Sequence, residues 1–392
     1  TGRQERKDHD LPKRDRLPSL DDQRAKNQNY LSDDADWIHY ETVMSTVPDQ
    51  IAVAPGTLIK EWEENGKRYF HYQLTTKVLN FGSFISARYE VLRDKWNDVD
   101  VEIYYQPEHD YNVERMAEAV KLSLEYYSGK FAPYPHEQAR IIEFPRYASF
   151  AQAFPGTMPY SESIGFIENL EDEDTKDRVL HVVAHEMAHQ WWAHQVIGAN
   201  VQGATLLSET MAQYAALMVM KQHKNEKSVQ DYRRYEVDNY LRSRGAEERK
   251  EVPLWLVENM GYIHYQKGSN VMYALQDYIG EDKVNQALYN YAQEVAYQAP
   301  PYTTSRDLLE HFRAVTPDSL QPFVTDLFER ITLYSNRTQE ATYQKLEDGK
   351  YQVNFTTQSE KFYADSLGAE TEAPIKDWID IGTFGWRYGA IA

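Results

Sequence analysis

Residues 181–196, HVVAHEMAHQWWAHQV, set His185 and His189 four apart, with Glu186 directly after the first of them. On a helix, positions i and i+4 share a face about one turn apart, so two imidazoles can aim at one ion. Glu186 is turned by about 100° from His185, which suits a carboxylate that activates water beside the ion better than one that binds it. This spacing alone arises by chance in roughly a few per cent of chains of such size, and a tetrahedral catalytic centre needs a third protein ligand. Glu209 is the one acid between Glu186 and Glu226, and it stands in LLSETMAQYAALMVM, where an unpaired carboxylate would be costly to bury. It is the expected third ligand. The chain has no cysteine, so histidine and carboxylate must supply the whole ligand set. A single Zn2+ is the expected cofactor. His181 and His194 extend the row at the same spacing and are expected to pack or to support the ligands from behind.

The elements that must position these residues lie in a chain of 392 residues, long enough for two or three domains. Apolar residues at 42% and 30 tyrosines argue for a globular protein. A formal charge of -19 repels nucleic acid and anionic lipid, so neutral or cationic partners are expected. No stretch approaches the roughly 20 apolar residues of a membrane span. Residues 1–36 carry eight basic and nine acidic residues and read as a charged linker or arm that orders only by docking. The abrupt, charged start suggests a segment of a longer protein.

Residues 37–107 read as a β-rich domain. EWEENGKRYFHYQL puts Asn65-Gly66 between two strand-like runs, and VDVEIYY alternates apolar and polar. Within 108–335 the pattern becomes mainly helical. Val113, Met116, Val120, Leu124 and Tyr127 form one helical stripe with Gly129 as the expected C-terminal stop, and ARIIEF at 139–144 returns to strand. Helices are expected at 180–196, about 204–222, 269–279, 282–297, 305–315 and 319–330, with Thr304 and Asp307 as a capping box. The acidic run at 168–177 reads as a solvated loop. In 336–392, a hairpin around Asp348-Gly349 and a strand in DWIDIGTF suggest the β segment of an incomplete module.

HEMAHQWWAHQV followed by LSETMAQY resembles the zinc aminopeptidases of the aminopeptidase N family, gluzincins with a thermolysin-like catalytic domain. In that family eighteen residues usually separate H-E-x-x-H from the glutamate of N-E-G; Gln190 to Ser208 make nineteen here, and SET replaces NEG. Gly198 and Gly203 are expected to absorb the difference. The resemblance makes Tyr265, in HYQKGSNVMYAL, the match to the family's catalytic tyrosine. It also aligns PYSESIGFI with the exopeptidase motif through Gly165 and Ile167, so that Glu162 matches the glutamate that binds the substrate's free amine.

The fold implied is α+β: a mainly helical thermolysin-like catalytic domain, a β-rich N-terminal domain and a short C-terminal β segment. The activity implied is removal of N-terminal residues from peptides. Glu186 is the expected general base, Tyr265 the oxyanion partner and Glu162 the ammonium partner. A zinc endopeptidase, or a silent peptide-binding module attached to a transporter, is the alternative. Within the family, the similarity is greatest to a bacterial subgroup joined to an ABC-transporter permease. That implies a permease part outside this chain and an extracytoplasmic position; without it the domain would be cytoplasmic.

Overall fold

The computed structural model describes residues 3–11, 16–31, 35–170, 177–247, 250–379 and 381–382. Most of the acidic run at 168–177 lies outside them. By contact density the chain divides into two units, one made of residues 1–247 and 254–318, the other of 248–253 and 319–392.

The first unit begins with a docked segment. Leu20, Ala25 and Ala35 are buried with Ile197, Ala199, Val201 and Tyr302 in one apolar cluster. Among the described residues of this stretch, the charged Asp21, Asp22 and Arg24 are exposed. An antiparallel sheet follows, with Lys67–Gln73 between Glu41–Thr46 and Thr57–Glu64. Asn65 and Gly66 join two of its strands with φ of 51° and 71°. These are the left-handed values that a two-residue hairpin requires and that Asn-Gly adopts readily.

A second, four-stranded sheet runs in the order Thr157–Ser161, Gln138–Phe144, Val99–Tyr105, Glu90–Trp96. Its first three strands are parallel and the last is antiparallel to its neighbour. The crossover from Val99–Tyr105 to Gln138–Phe144 is the helix Val113–Lys130, which buries Val113, Met116, Val120, Leu124 and Tyr127. This is the stripe read from the sequence; the helix continues through Gly129 to Lys130.

The helix Arg178–Ala188 packs between Val113–Lys130 and Met211–His223. It stops eight residues short of the expected end. The helix Glu226–Ala246, not expected from the sequence, follows Asn225, whose side chain accepts from the Ser228 N–H at 2.9 Å. Helices Gly268–Ile279, Glu281–Val295 and Ser305–Val315 complete the unit, the last opened by the Thr304–Asp307 capping box.

In the second unit, the long hairpin Ile331–Lys345 and Tyr351–Ala364 is joined by Glu370–Ala373 into an antiparallel sheet. Lys361 is buried between Asp326 and Asp377, at 2.6 and 2.8 Å. The helix expected at 319–330 is broken into a 3-10 turn, one α turn and a π turn. The strand expected in DWIDIGTF is irregular where it is described, over 377–379 and 381–382.

The architecture is α+β, with β-rich N-terminal sheets and a helical body that carries the candidate site.

Candidate active site

His185 projects from the last turn of Arg178–Ala188, and His189 is the cap residue of that helix, still in helical conformation. Their rings are 4.8 Å apart and mutually perpendicular. The helix ends here for a reason visible in the site: His189 Nδ1–H donates to the Trp192 carbonyl at 3.0 Å. In a continuing helix the carbonyl three residues ahead would point away from that ring. The chain therefore turns, passing Ala193 at φ 148°, and the bond leaves Nε2 of His189 facing Glu209. Trp191 and Trp192, in the turn that follows the helix, are fully buried. Tyr127 supports the helix from below, its hydroxyl donating to the Ala184 carbonyl at 2.9 Å.

Glu209 comes from a π-helical turn, Leu206–Thr210, at the head of Met211–His223. Just before it, Gly203 has φ +86°, and a Cβ there would stand 2.3 Å from both Ser305 Oγ and the Trp255 carbonyl. Glu209 Oε2 lies 3.4 Å from His185 Nε2 and 3.5 Å from His189 Nε2. Donor atoms about 2.0–2.1 Å from a tetrahedral zinc are separated by roughly 3.3–3.4 Å, so this donor set fits zinc in both chemistry and spacing. Burial opposes charge on Glu209, yet the two histidines hold it well below the usual carboxylate range. Burial likewise opposes charge on His189, but Glu209 and Glu186 lift it to about 9. Both shifts express the same convergence of two basic rings on one buried carboxylate.

Glu186, buried beside the ligands, is raised by burial against the pull of His189 and His185. Tyr265 comes from a second π-helical turn, Tyr262–Lys267, and its ring is 5.8 Å from that of His185. Burial, then the charge of the nearby Glu209, raises its phenol.

Glu162 sits elsewhere in the described contacts. It opens the 3-10 turn after the strand Thr157–Ser161, and its Oε1 accepts from the Arg146 N–H at 3.1 Å. Its carboxylate converges with His109 and Glu143, not with the His185 group. His109 Nδ1 is 3.9 Å from Glu162 and bonds closely to Glu143. Glu143, raised first by burial, also accepts from the Gln106 N–H at 2.6 Å. The sequence reading missed both His109 and Glu143. The cost of burying a carboxylate, applied to the lone acid of QARIIEF as it was to Glu209, would have marked Glu143.

His181 and His194 are not among the ligands. His181 Nε2 pairs with the Tyr232 hydroxyl at 2.6 Å, and His194 Nε2 bonds to the Ala153 carbonyl at 3.0 Å.

Residues 111–328, more than half of the chain, match the peptidase family M1 domain. The protein belongs to that family. It is 22% identical over 278 residues to the leucyl aminopeptidase of Saccharolobus solfataricus, a match covering 69% of this chain and 35% of that protein. Against human aminopeptidase N the identity is 27% over 224 residues, covering 54% and 23%. The M1 zinc metallopeptidase of Deinococcus radiodurans superposes with a TM-score of 0.59 at 18% identity, covering 76% of this chain and 65% of that one. The chain spans about a third of the length of the leucyl aminopeptidase and about a quarter of human aminopeptidase N. Among the described residues no helix is long and apolar enough to cross a membrane.

Proposed function

We propose that the protein is a zinc aminopeptidase, hydrolysing the first peptide bond of peptides with a free amino terminus. The observation that carries this reading is the convergence of His185, His189 and Glu209, with Glu186 and Tyr265 against them. Membership in family M1 and the aminopeptidase names of its relatives support it.

His185, His189 and Glu209 would hold a zinc ion, which when bound would supply Lewis acidity toward water and a carbonyl. Glu186 takes the proton of the attacking water and returns it to the leaving amine; its burial matches its basicity to that shuttle. Tyr265 keeps its proton because burial and nearby carboxylates disfavour the phenolate, so it donates to the substrate oxygen as negative charge grows there. Glu162 pairs with the substrate's α-ammonium group and sets which bond meets Glu186. The Arg146 N–H fixes one of its oxygens, and the other faces His109 at 3.9 Å. Attachment to a membrane permease belongs to this reading through the motif resemblance alone; co-purification of the full-length product with a membrane subunit would test it.

The test is hydrolysis of aminoacyl reporter amides, free and acetylated, by wild type and Glu186→Gln, with zinc content measured in both. Zinc in both proteins, and turnover by wild type on free amines only, is the expected result. Equal cleavage of acetylated substrates would replace the proposal by an endopeptidase. Zinc without turnover in wild type would replace it by a binding module.

A further inference from the structure

Three backbone groups in the connection between His189 and Glu209 find their partners on a segment far away in sequence. The Gly198 carbonyl accepts from the Tyr30 N–H at 3.2 Å, the Asn200 N–H donates to the Gln28 carbonyl at 2.8 Å, and the Gln202 N–H donates to the Pro18 carbonyl at 2.8 Å. The first two flank an antiparallel bridge between Asn29 and Ala199. On its other side the connection is held by Thr303, whose carbonyl accepts from the Ala199 N–H at 2.8 Å. Residues 28–30 thus add a short strand to the connection, with Ala199 as the middle rung.

The segment Arg16–Leu31 delivers that strand, and its grip is mainly apolar. Leu20 and Ala25 are buried with Ile197, Ala199 and Val201. The ion pairs Arg16–Glu258 and Asp21–Arg306, both at 2.9 Å, are partly exposed and add little in water. The connection in turn touches the turn that carries Glu209: a Cβ on Gly198 would stand 3.0 Å from Cδ1 of Leu207, two residues before the ligand. Withdrawal of the segment would strip three backbone groups of these partners and uncover Ile197 and Val201. The chain between two of the three metal-facing residues would then loosen.

We infer that the segment Arg16–Leu31 is a positioning strap: anchored through Leu20 and docked as a strand on Gly198–Gln202, it fixes Glu209 relative to His189 and so governs how long a zinc ion is held. The inference takes its ligand set from the proposed function and needs nothing of its substrate reading. Supports behind metal ligands commonly govern affinity by about 10–100-fold.

The experiment compares zinc-loaded wild type with Leu20→Asp, which puts a charge into the apolar cluster and disfavours docking. Phe70→Leu, in the separate cluster of Ala52, Ala54 and Tyr72, controls for stability lost elsewhere. Two quantities are read: the rate of zinc loss to a chelator, and amide hydrogen exchange at Asn200 and Gln202. Expected for Leu20→Asp are zinc loss and exchange at both amides each faster by about tenfold, with Phe70→Leu at wild-type rates. Faster exchange with zinc loss at the wild-type rate would show that the strap does not govern the metal and would overturn the inference. Zinc loss accelerated equally in Phe70→Leu would overturn it too, since general destabilisation would explain both. A wild type that takes up no zinc on titration would instead remove the ligand set of the proposed function, and the inference with it. Leu20→Ala serves if Leu20→Asp does not fold; the same changes at smaller size are expected, and wild-type rates of either zinc loss or exchange would again overturn the inference.

Discussion

Thr210 Oγ1 donates to the His264 carbonyl at 2.7 Å, and this bond ties the turn that carries Glu209 to the turn that carries Tyr265. The two π turns approach closely enough that a Cβ on Gly268 would fall 2.6 Å from the Thr210 side chain. The turns that carry Glu209 and Tyr265 are therefore held by one joint.

Replacing Thr210 with Val keeps the shape and removes the donor, leaving the buried His264 carbonyl short of a partner. A stability loss of about 1–3 kcal/mol is expected, together with a several-fold lower kcat and little change in KM. Denaturant melts and steady-state kinetics on the same preparation check both.

Glu209→Ala removes the carboxylate on which both imidazoles converge. Zinc binding is expected to weaken by at least 100-fold, with activity lost in proportion. Metal titration of the apoprotein reads this directly. Wild type stripped of metal should also melt lower, because an ion that binds only the folded state adds RT ln(1 + [L]/Kd) to its stability.

Glu162→Gln preserves the bond from Arg146 and removes the charge. On free-amine substrates KM is expected to rise by about tenfold or more, while the ratio of free to acetylated cleavage falls toward one. An unchanged ratio would move ammonium recognition to another group, and the neighbouring Glu143 would be the first to replace.

The pH dependence of stability should show buried neutral histidine. His136 is buried, neither ring nitrogen has a protein partner among the described residues, and desolvation lowers it to about 3. The unfolded chain takes up that proton near the ordinary value of about 6.5. Stability from this group is therefore complete above that pH and falls as pH drops toward 3, by about 1.4 kcal/mol per pH unit. His136→Phe keeps a ring against Tyr134 and should flatten this limb. Urea melts between pH 7 and pH 4 measure it; equal slopes in the two proteins would refute the assignment.

What the sequence made legible were features whose cause is local. Asn65-Gly66 specified its hairpin because few other pairs adopt two left-handed conformations cheaply, and Thr304 with Asp307 specified a helix start through reciprocal bonds. The three metal-facing residues were legible for a similar reason: a four-residue spacing and one costly acid in an apolar run. The helix Glu226–Ala246 was not, because its inward stripe is Val229, Tyr232, Glu236 and Tyr240, and only one of these is aliphatic. Its burial depends on partners distant in sequence: Gln213 donates to the Tyr232 hydroxyl at 2.7 Å, and that hydroxyl also meets His181. The early stop of the metal helix was hidden in the same way, since it follows from one ring bonding to one backbone carbonyl.

The π turn at Leu206–Thr210 gives the count of residues before Glu209 a geometric meaning. A π turn takes in one residue more than an α turn, the same increment by which Gln190 to Ser208 exceeds the family's usual spacing. A π turn takes up an added residue locally without turning the residues on either side out of register, so the extra residue is accommodated in a place where the Glu209 carboxylate still faces both imidazoles.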